Sequence, residues 1–494
     1  MKTSSLIKIN FRGGIISPGD LLQVLIAAEK AHIAKISFGT RQQLLADVAE
    51  AYCDLFTSLL QVLQVNYEKD ADERPNVVSS YPAEEVFITK TWLSEGVYKD
   101  IFDGMDYEPR LKINISDSNQ SFTPILTGNI NWVASLHSPH FWHVFIRFPK
   151  TNIVYEWNQL VYTNDVARMS KHIEAFILDD KSSFYDNPQA NGDALFEKVQ
   201  LRNYITKPAG APADLPAFNL PYYEGLNRYN DKYWLGIYRR DELFDIAFLK
   251  DICLLCLESR IGQLCSTSWK TIMVKGIEEK NRPQWNALLA RHRVNVRHAA
   301  NELNFQVEDH CKEGLELKNY LVRQLSSDDM RTFGICIGIK TRKKSEVFSS
   351  ILVRRRHLVT IAGRGFLPVY DLLCANDFNP NERTGFIFSR ATPKLLLPEQ
   401  LRRAILLFYR HQVKRNEKMV LHPREEAEAK QAVEWVHQCP HCYSIYDPAA
   451  PVSDTDGRTG ITFEQLPHDY ACPLCEAPKQ EFRRIEQPAH AARP

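Results

Sequence analysis

The chain has 494 residues, 44% hydrophobic and 24% charged, a composition typical of a folded globular protein with more than one domain. The formal net charge of +1 argues against a general nucleic-acid binder. No apolar run suits a signal peptide or a membrane span, so the eleven cysteines predict a reducing cytoplasmic location, where thiols stay free or bind metal.

Two segments of the chain, residues 13–48 and residues 239–277, share a pattern. Each has an aspartate near its start, Asp20 or Asp241, which suits the N-cap or first turn of a helix. Each then predicts an apolar helix of about 15 residues, a short strand, a turn that contains threonine, and a second strand. A helix between strands that recurs in this way predicts a duplicated α+β domain.

The repeated pattern also carries a family resemblance. "GGIISPGDLLQVLIAAEKA" with "ISFGTRQQL" resembles the ferredoxin-like half-domain of sirohaem sulfite and nitrite reductases, and "CSTSWKTIMVKGI" resembles its second copy. Residues 107–135 and 331–356 are similar to the segments that follow the two half-domains. The resemblance covers roughly residues 1–415 and implies a body built from two reductase-like repeats.

In that family the first repeat supplies basic residues to the sirohaem carboxylates and to the anionic substrate. Arg41 matches the arginine of the Thr-Arg-Gln turn, and Arg110 and Lys112 lie near the paired basic positions of a following strand. Their alternation would place Arg110 and Lys112 on one strand face. The alternative is that all three are solvated surface charges.

The second repeat departs from the family. The resemblance implies a four-iron cluster held by Cys-x5-Cys and Cys-x3-Cys, but the corresponding segment has only Cys311, Cys336 and Cys374, each isolated. Cys253 and Cys256 have a Cys-x-x-Cys spacing, but they lie in an apolar helix pattern, where cysteine acts as a small hydrophobe. We therefore expect no reductase chemistry by the family mechanism.

Other candidate chemistry in the body is weak. His137, His140 and His143 have three-residue spacing but no adjacent acidic residue, and they predict a loop that runs into a strand. The sequence offers no catalytic triad and no nucleotide-binding loop, so we predict no catalytic residue.

The strongest motif lies near the end of the chain. Cys439 and Cys442 form one Cys-x-x-Cys pair, and Cys472 and Cys475 form another after twenty-nine intervening residues. A Cys-x-x-Cys turn places two sulfurs on one side of a short loop, and two facing loops give a closed tetrahedral site for zinc or iron. Such a short segment has little core, so we expect the metal to contribute to its folding.

The residues around these pairs are similar to rubredoxin throughout. The matching positions are Tyr446, Asp447, Pro448, Gly460, Phe463, Glu464, Leu466, Pro467, Asp469, Lys479 and Phe482. The resemblance implies a small β-rich module with one iron ion in four thiolates, Fe(SCys)4, that carries one electron. Zinc in a structural site is the alternative.

Two positions depart from that pattern. Rubredoxins usually carry glycine directly after the second and fourth cysteines, and this chain has Tyr443 and Glu476 there. Glycine suits a positive φ and lets backbone N–H groups point at the sulfurs, so both replacements predict strained turns. Four aromatic residues are expected to pack around the site: Tyr446, Phe463, Tyr470 and Phe482.

The predicted fold is α+β, a duplicated ferredoxin-like, sirohaem-reductase-like body with a small C-terminal β-rich rubredoxin module. The predicted parts are two repeats, a charged linker, the rubredoxin-like domain and a tail: residues 1–220, 221–415, 416–434, 435–486 and 487–494.

The predicted function is iron-based electron transfer, with the body as scaffold or docking surface. The expected partners are redox proteins, with a nitrite or sulfite reductase as one candidate. The alternatives are a non-redox assembly or regulatory protein with structural zinc, and a sirohaem-binding oxidoreductase or carrier.

Overall fold

The computed structural model describes residues 3–88, 90–342, 347–361, 364–430, 434–442, 444, 446, 462–473 and 475–487. Parts of the predicted linker and tail, and several positions of the rubredoxin-like pattern, lie outside the described residues: 431–433, 488–494, Tyr443, Asp447, Pro448 and Gly460. The chain divides into two compact units, residues 1–408 and residues 409–494.

The first half of the body contains twelve strands and six α-helices within the described residues. The strands are β1 (Ser4–Ile9), β2 (Ile15–Ile16), β3 (Lys35–Phe38), β4 (Leu44–Ala49), β5 (Tyr67–Lys69), β6 (Val78–Ser79), β7 (Ile113–Ser116), β8 (Ile130–Ala134), β9 (Phe141–Arg147), β10 (Val154–Glu156), β11 (Gln159–Tyr162) and β12 (Thr206–Pro208). The helices are α1 (Pro18–Lys30), α2 (Glu50–Val62), α3 (Glu95–Asp103), α4 (Val166–Asp179), α5 (Lys181–Phe184) and α6 (Gly192–Gln200).

The second half continues the alternation of strands and helices. Its strands are β13 (Gly225–Tyr229), β14 (Lys232–Ile237), β15 (Leu243–Asp245), β16 (Leu264–Ser266), β17 (Ile272–Ile277), β18 (Phe305–Val307), β19 (Ile337–Lys340), β20 (Ile351–Ile361), β21 (Arg364–Ala375) and β22 (Gly385–Thr392). Its helices are α7 (Ile246–Glu258), α8 (Arg282–Arg291), α9 (Lys312–Ser327) and α10 (Leu397–Lys430). Residues 416–430 of the predicted linker lie in α10.

The two repeats exchange short strands. One five-stranded sheet has the order β15-β3-β4-β1-β5, so its edge strand β15 comes from the second repeat. Another has the order β13-β14-β17-β16-β2, so its edge strand β2 comes from the first. Each exchanged strand leads into the helix that follows it, α1 after β2 and α7 after β15, and these two helices pack together.

The turns between the paired strands are also equivalent in the two repeats. In the first turn the N–H of Gly39 donates to Gln43 O, and Gln42, with a φ of 61°, donates to Gly39 O. In the second, Thr267 donates to the carbonyl of Thr271, and Lys270, with a φ of 58°, donates to Thr267 O. The same backbone geometry at both positions supports a duplicated unit.

The helix starts follow ordinary capping chemistry in the first repeat. The Ser17 side chain accepts the N–H of Asp20, Pro18 occupies the first helical turn of α1, and Asp20 complements the helix dipole. The matching expectation for Asp241 was wrong, because strand β15 intervenes and Asp245 is the residue that precedes α7.

One hydrophobic core is shared by both repeats. It contains buried residues of α1 and β3 together with buried residues of β14, β15 and α7. Phe38 of β3 and Phe244 of β15 meet in it edge to face, with their ring centroids 5.4 Å apart. The two repeats therefore bury their apolar faces against each other.

The rest of the body adds two further sheets. One has the order β12-β11-β9-β8-β7-β6, with β10 paired to β9, and it packs against α3, α4 and α6 in a second large core. The other has the order β18-β19-β20-β21-β22. Among the described residues, no helix is both long enough and apolar enough to cross a membrane.

Candidate metal centre

The second compact unit, residues 409–494, is called the tail unit or tail from here on, and it places the two Cys-x-x-Cys pairs on matching turns. Strands β23 (Glu434–Gln438) and β24 (Arg483–Gln487) pair in antiparallel register, and β23 leads directly into Cys439. The N–H of Cys439 donates to Ser444 O at 2.9 Å, and the N–H of Cys472 donates to Ala477 O at 2.8 Å. Each bond closes a turn over the same five-residue offset, so the two pairs present their sulfurs alike.

The four sulfurs are close enough to bind one ion. The ligand atoms of Cys439, Cys442, Cys472 and Cys475 all lie within 4.8 Å of one another, and two sulfur pairs are separated by 3.4 and 3.5 Å. Four sulfurs at about 2.3 Å from a central ion would lie roughly 3.8 Å apart, so this donor set fits a tetrahedral metal. All four tetrahedral positions would be taken by protein, which leaves none for a substrate.

The four cysteines differ in burial, and two of their thiols have shifted pKa values. Cys439 and Cys472 are buried, Cys442 is half-buried and Cys475 is exposed. A hydrogen bond with the Ser444 hydroxyl lowers the pKa of Cys442. The N–H of Ala477 lowers the pKa of Cys475, but desolvation and the three neighbouring thiols outweigh it and raise that pKa to about 12. Four thiols this close together resist losing their protons at the same time. A metal cation binds cysteine as thiolate, so metal binding at this site would release protons.

A small aromatic cluster supports the turns. The Tyr446 and Phe463 rings are 5.5 Å apart and the Phe463 and Phe482 rings 5.1 Å, with Tyr470 in the same cluster. The ammonium of Lys479 lies over the Phe463 ring and donates to the carbonyl of Leu466 at 2.6 Å. The predicted aromatic packing is confirmed for these residues.

The turn after the fourth cysteine is strained as expected. Glu476 has a φ of 59°, in the left-handed region that disfavours residues with a Cβ. Its N–H donates to Cys472 O at 2.8 Å, so the turn depends on this conformation.

We expect Glu476→Gly to stabilise the metal-loaded tail by about 1 kcal/mol, because glycine adopts a positive φ without the steric cost of a Cβ. Guanidinium titration of the iron-loaded protein, followed by the loss of visible absorbance, measures this. Glu476→Ala is the matched control, since it removes the carboxylate but keeps the Cβ and should give no gain. Equal stabilisation by both variants would show that the carboxylate, not the backbone, is the source.

A second concave site lies in the body, and two of the basic residues that the reductase resemblance singled out line it. This cavity of about 390 Å³ is lined by Arg41, Lys112, Lys340, Arg342 and Arg383. Arg110 is exposed and does not line it. Arg110 and Lys112 also do not share a strand face, because β7 begins after both, at Ile113.

Two of the cations in this cavity are held by acceptors of the protein itself. The Arg41 guanidinium donates to Asn76 O at 2.7 Å and to Ile113 O at 2.9 Å, and Arg342 donates to His310 O at 2.6 Å. Three acidic side chains line the same walls: Asp72, Glu308 and Asp309. The Arg41 and Arg342 guanidiniums therefore already have protein acceptors, and the three carboxylates offset part of the positive charge of the cavity.

The body cysteines of the second repeat also stay apart. Cys311 contacts Thr341, the Cys336 thiol donates to Phe348 O, and Cys374 is buried in β21. Burial raises the pKa of Cys374 to about 12. Within the described parts of the chain, the four cysteines of the tail are the one group of three or more His, Cys, Asp or Glu side chains positioned to share an ion.

The three histidines of residues 137–143 belong to a loop and to the strand that follows it. His137 and His140 precede β9 and are exposed, so the predicted loop running into a strand is confirmed. His143 lies inside β9, where its Nδ1 is 3.1 Å from Glu156 Oε1.

One polar residue of the metal site was missed by the sequence analysis. The Ser444 hydroxyl oxygen lies 3.1 Å from the Cys442 sulfur and 3.2 Å from the Cys472 sulfur. The sequence does show that Ser444 and Ala477 hold equivalent positions, because each follows the first cysteine of its pair, Cys439 or Cys472, by five residues.

Comparison with known proteins identifies relatives of the tail. The sequence model of the rubredoxin family matches residues 436–482. Rubredoxin-1 of Chlorobaculum tepidum is 40% identical over 61 residues, which span 12% of this chain and 86% of that protein. Rubredoxin-2 of Desulfovibrio desulfuricans is 38% identical over 55 residues, which span 11% of this chain and 89% of that protein.

A solved structure resembles a larger part of the chain. The Mycobacterium tuberculosis NirA protein superposes with a TM-score of 0.63 at 13% identity, covering 82% of this chain and 81% of that chain. At this identity the likeness concerns the fold alone: this chain and the NirA protein share a fold over most of their length. The predicted fold class, a duplicated α+β body with a small C-terminal module, is confirmed.

The rubredoxin relatives and the four cysteine ligands together indicate which metal the site binds. Four cysteines within reach of one ion, in a segment whose relatives are rubredoxins, imply one iron ion bound by cysteines, with zinc as the alternative.

Proposed function

The chain belongs to the rubredoxin family through residues 436–482, and on that basis we propose that it carries single electrons at a site formed by Cys439, Cys442, Cys472 and Cys475. The observation that carries the proposal is the convergence of these four sulfurs within 4.8 Å. Iron bound by four thiolates supplies a one-electron ferric–ferrous couple.

The side chains of the site suit this role. Cys439 and Cys472 lie inside the module, whereas the exposed Cys475 reaches the surface and offers a short path to a partner protein. Residues 435–486 contain eight acidic and four basic residues, a net charge of −4. An acidic carrier favours partners with a basic docking surface, and the attraction steers their encounter.

For the body we propose a scaffold or docking role towards redox partners, with a nitrite or sulfite reductase as one candidate. Its reductase-like fold supports this proposal, as does the separation of Cys311, Cys336 and Cys374. The seven cysteines outside the tail are buried free thiols, which supports a reducing compartment such as the cytoplasm.

The metal content tests the electron-transfer proposal. We expect full-length protein from iron-supplied cells to contain one iron per chain, to be red when oxidised and to bleach with dithionite. Elemental analysis and a visible spectrum measure this. Stoichiometric zinc without a visible band would contradict electron transfer and favour a structural role.

An activity assay tests the proposed role of the body. We expect no reduction of sulfite or nitrite by this chain alone when reduced methyl viologen is the donor, because the cluster thiols are absent from the second repeat and the cavity at Arg41 presents carboxylates. A sirohaem reductase assayed with the same donor is the positive control. Clear turnover by this chain would overturn the docking role.

A further inference from the structure

The Ser444 hydroxyl lies between two of the four sulfurs. Its oxygen is 3.1 Å from the Cys442 sulfur and 3.2 Å from the Cys472 sulfur, both within hydrogen-bond range for sulfur. A cysteine that binds a metal does so as thiolate and has no proton to give. In the metal-loaded site the hydroxyl is therefore the donor and the sulfurs are the acceptors.

The equivalent position in the other turn lacks this hydroxyl. Ser444 and Ala477 occupy the same place: each accepts the N–H of the first cysteine of its pair, and each donates its own N–H to the sulfur of the second. These two backbone hydrogen bonds are common to both turns, and at this position the side chains of serine and alanine differ by one oxygen atom. Any effect of that oxygen is thus separable from the effect of the turn.

We propose that the Ser444 hydroxyl donates its one proton in a hydrogen bond shared between the sulfurs of Cys442 and Cys472, and thereby raises the reduction potential of the bound iron. This inference rests on the proposed electron-transfer function. It makes Ser444 a positioning and tuning residue rather than a ligand.

The direction follows from the charge on the sulfurs. Reduction adds one electron from an external one-electron donor, moves no atom, and leaves the four thiolates and their ion with one more negative charge. A hydrogen bond to the charged form favours the form with more charge, and hydrogen bonds to sulfur are an established means of tuning such centres. Removal of the hydroxyl therefore favours the ferric state.

The test compares variants that differ by the hydroxyl alone. Ser444→Thr keeps the hydroxyl, and Ser444→Val has the shape of threonine without it. We expect Ser444→Val and Ser444→Ala to lower the ratio of ferrous to ferric protein at a fixed ambient potential about tenfold, which is about 59 mV for a one-electron couple. Ser444→Thr should stay near the parent value. Spectroelectrochemical titration of the full-length iron-loaded protein measures all of them.

A gain-of-function variant gives an independent test. Ala477→Ser adds a hydroxyl at the equivalent position beside the other sulfurs, and we expect it to raise the potential. Parent-like potentials in Ser444→Ala and Ala477→Ser, with one iron bound in each, would overturn the role of Ser444 while leaving the electron-transfer proposal intact. A parent protein that binds zinc instead of iron would instead refute the proposed function.

Discussion

Replacement of Cys472 by Ser is expected to abolish iron binding by the full-length protein. Cys472 is buried, and its sulfur lies 3.4 Å from the Cys442 sulfur, so a serine there must place a poor ligand inside the module. Structural sites of four thiolates gain on the order of 10 kcal/mol from their metal, which makes metal loss equivalent to unfolding of a small domain. Iron analysis and visible absorbance should both fall to background.

Two control variants define this prediction. Cys374→Ala removes a buried thiol from the body and should leave iron content unchanged. Cys475→Ser, at the exposed corner, should keep part of the iron with a shifted band, because water can solvate the weaker ligand. Full iron content in Cys472→Ser would refute the four-thiolate site, and loss of iron in Cys374→Ala would show that the assay reports general instability.

Replacement of Phe244 by Ala is expected to destabilise the body by about 3–5 kcal/mol, the usual cost of removing a phenyl ring from a packed core. Phe244 is fully buried on the exchanged strand β15 and packs against Phe38 of the other repeat. The loss should appear as a lower midpoint of urea unfolding, followed by tryptophan fluorescence.

The matched control is Phe386→Ala, which removes the same ring from a position that is 43% exposed. That change should alter stability by no more than about 0.5 kcal/mol. A loss of less than about 1 kcal/mol of unfolding free energy in Phe244→Ala would contradict this prediction. It would mean that the packing of β15 against the first repeat contributes little to folding.

The metal site was predictable because its donors are local in sequence. Two Cys-x-x-Cys pairs fix their own turns, and the rubredoxin-like residues around them determine how the turns face each other. The position of Glu476 at a positive φ followed from the same pattern. Ser444 was missed because its contact with the Cys472 sulfur depends on the distance between two turns, which no local property of serine encodes.

The duplicated body was predictable in outline only. The helix of about four turns and the strand–turn–strand that follows have a clear apolar period in both repeats, and α1 and α7 are each 13 residues long. The exchange of β2 and β15 was not predictable, because strands of two and three residues have no measurable period and their partners are remote in sequence. Asp241 was misassigned for the same reason.

The roles of the basic residues depended on atoms that the sequence does not place. Arg41 lines a cavity, but the carbonyls of Asn76 and Ile113 accept its hydrogen bonds. In the sequence, an arginine that donates to backbone carbonyls looks the same as an arginine that binds an anion. The two roles are distinguished only by where the acceptors lie in the fold.

The reciprocal exchange of β2 and β15 makes the two halves of the body complementary fragments. A cut at the exposed Gly210 would leave an amino-terminal fragment without the edge strand Leu243–Asp245 and a carboxy-terminal fragment without Ile15–Ile16. Each fragment would expose apolar residues that the intact chain buries in one shared core. Neither half therefore contains every strand of its own sheet, and each covers part of the other's apolar core.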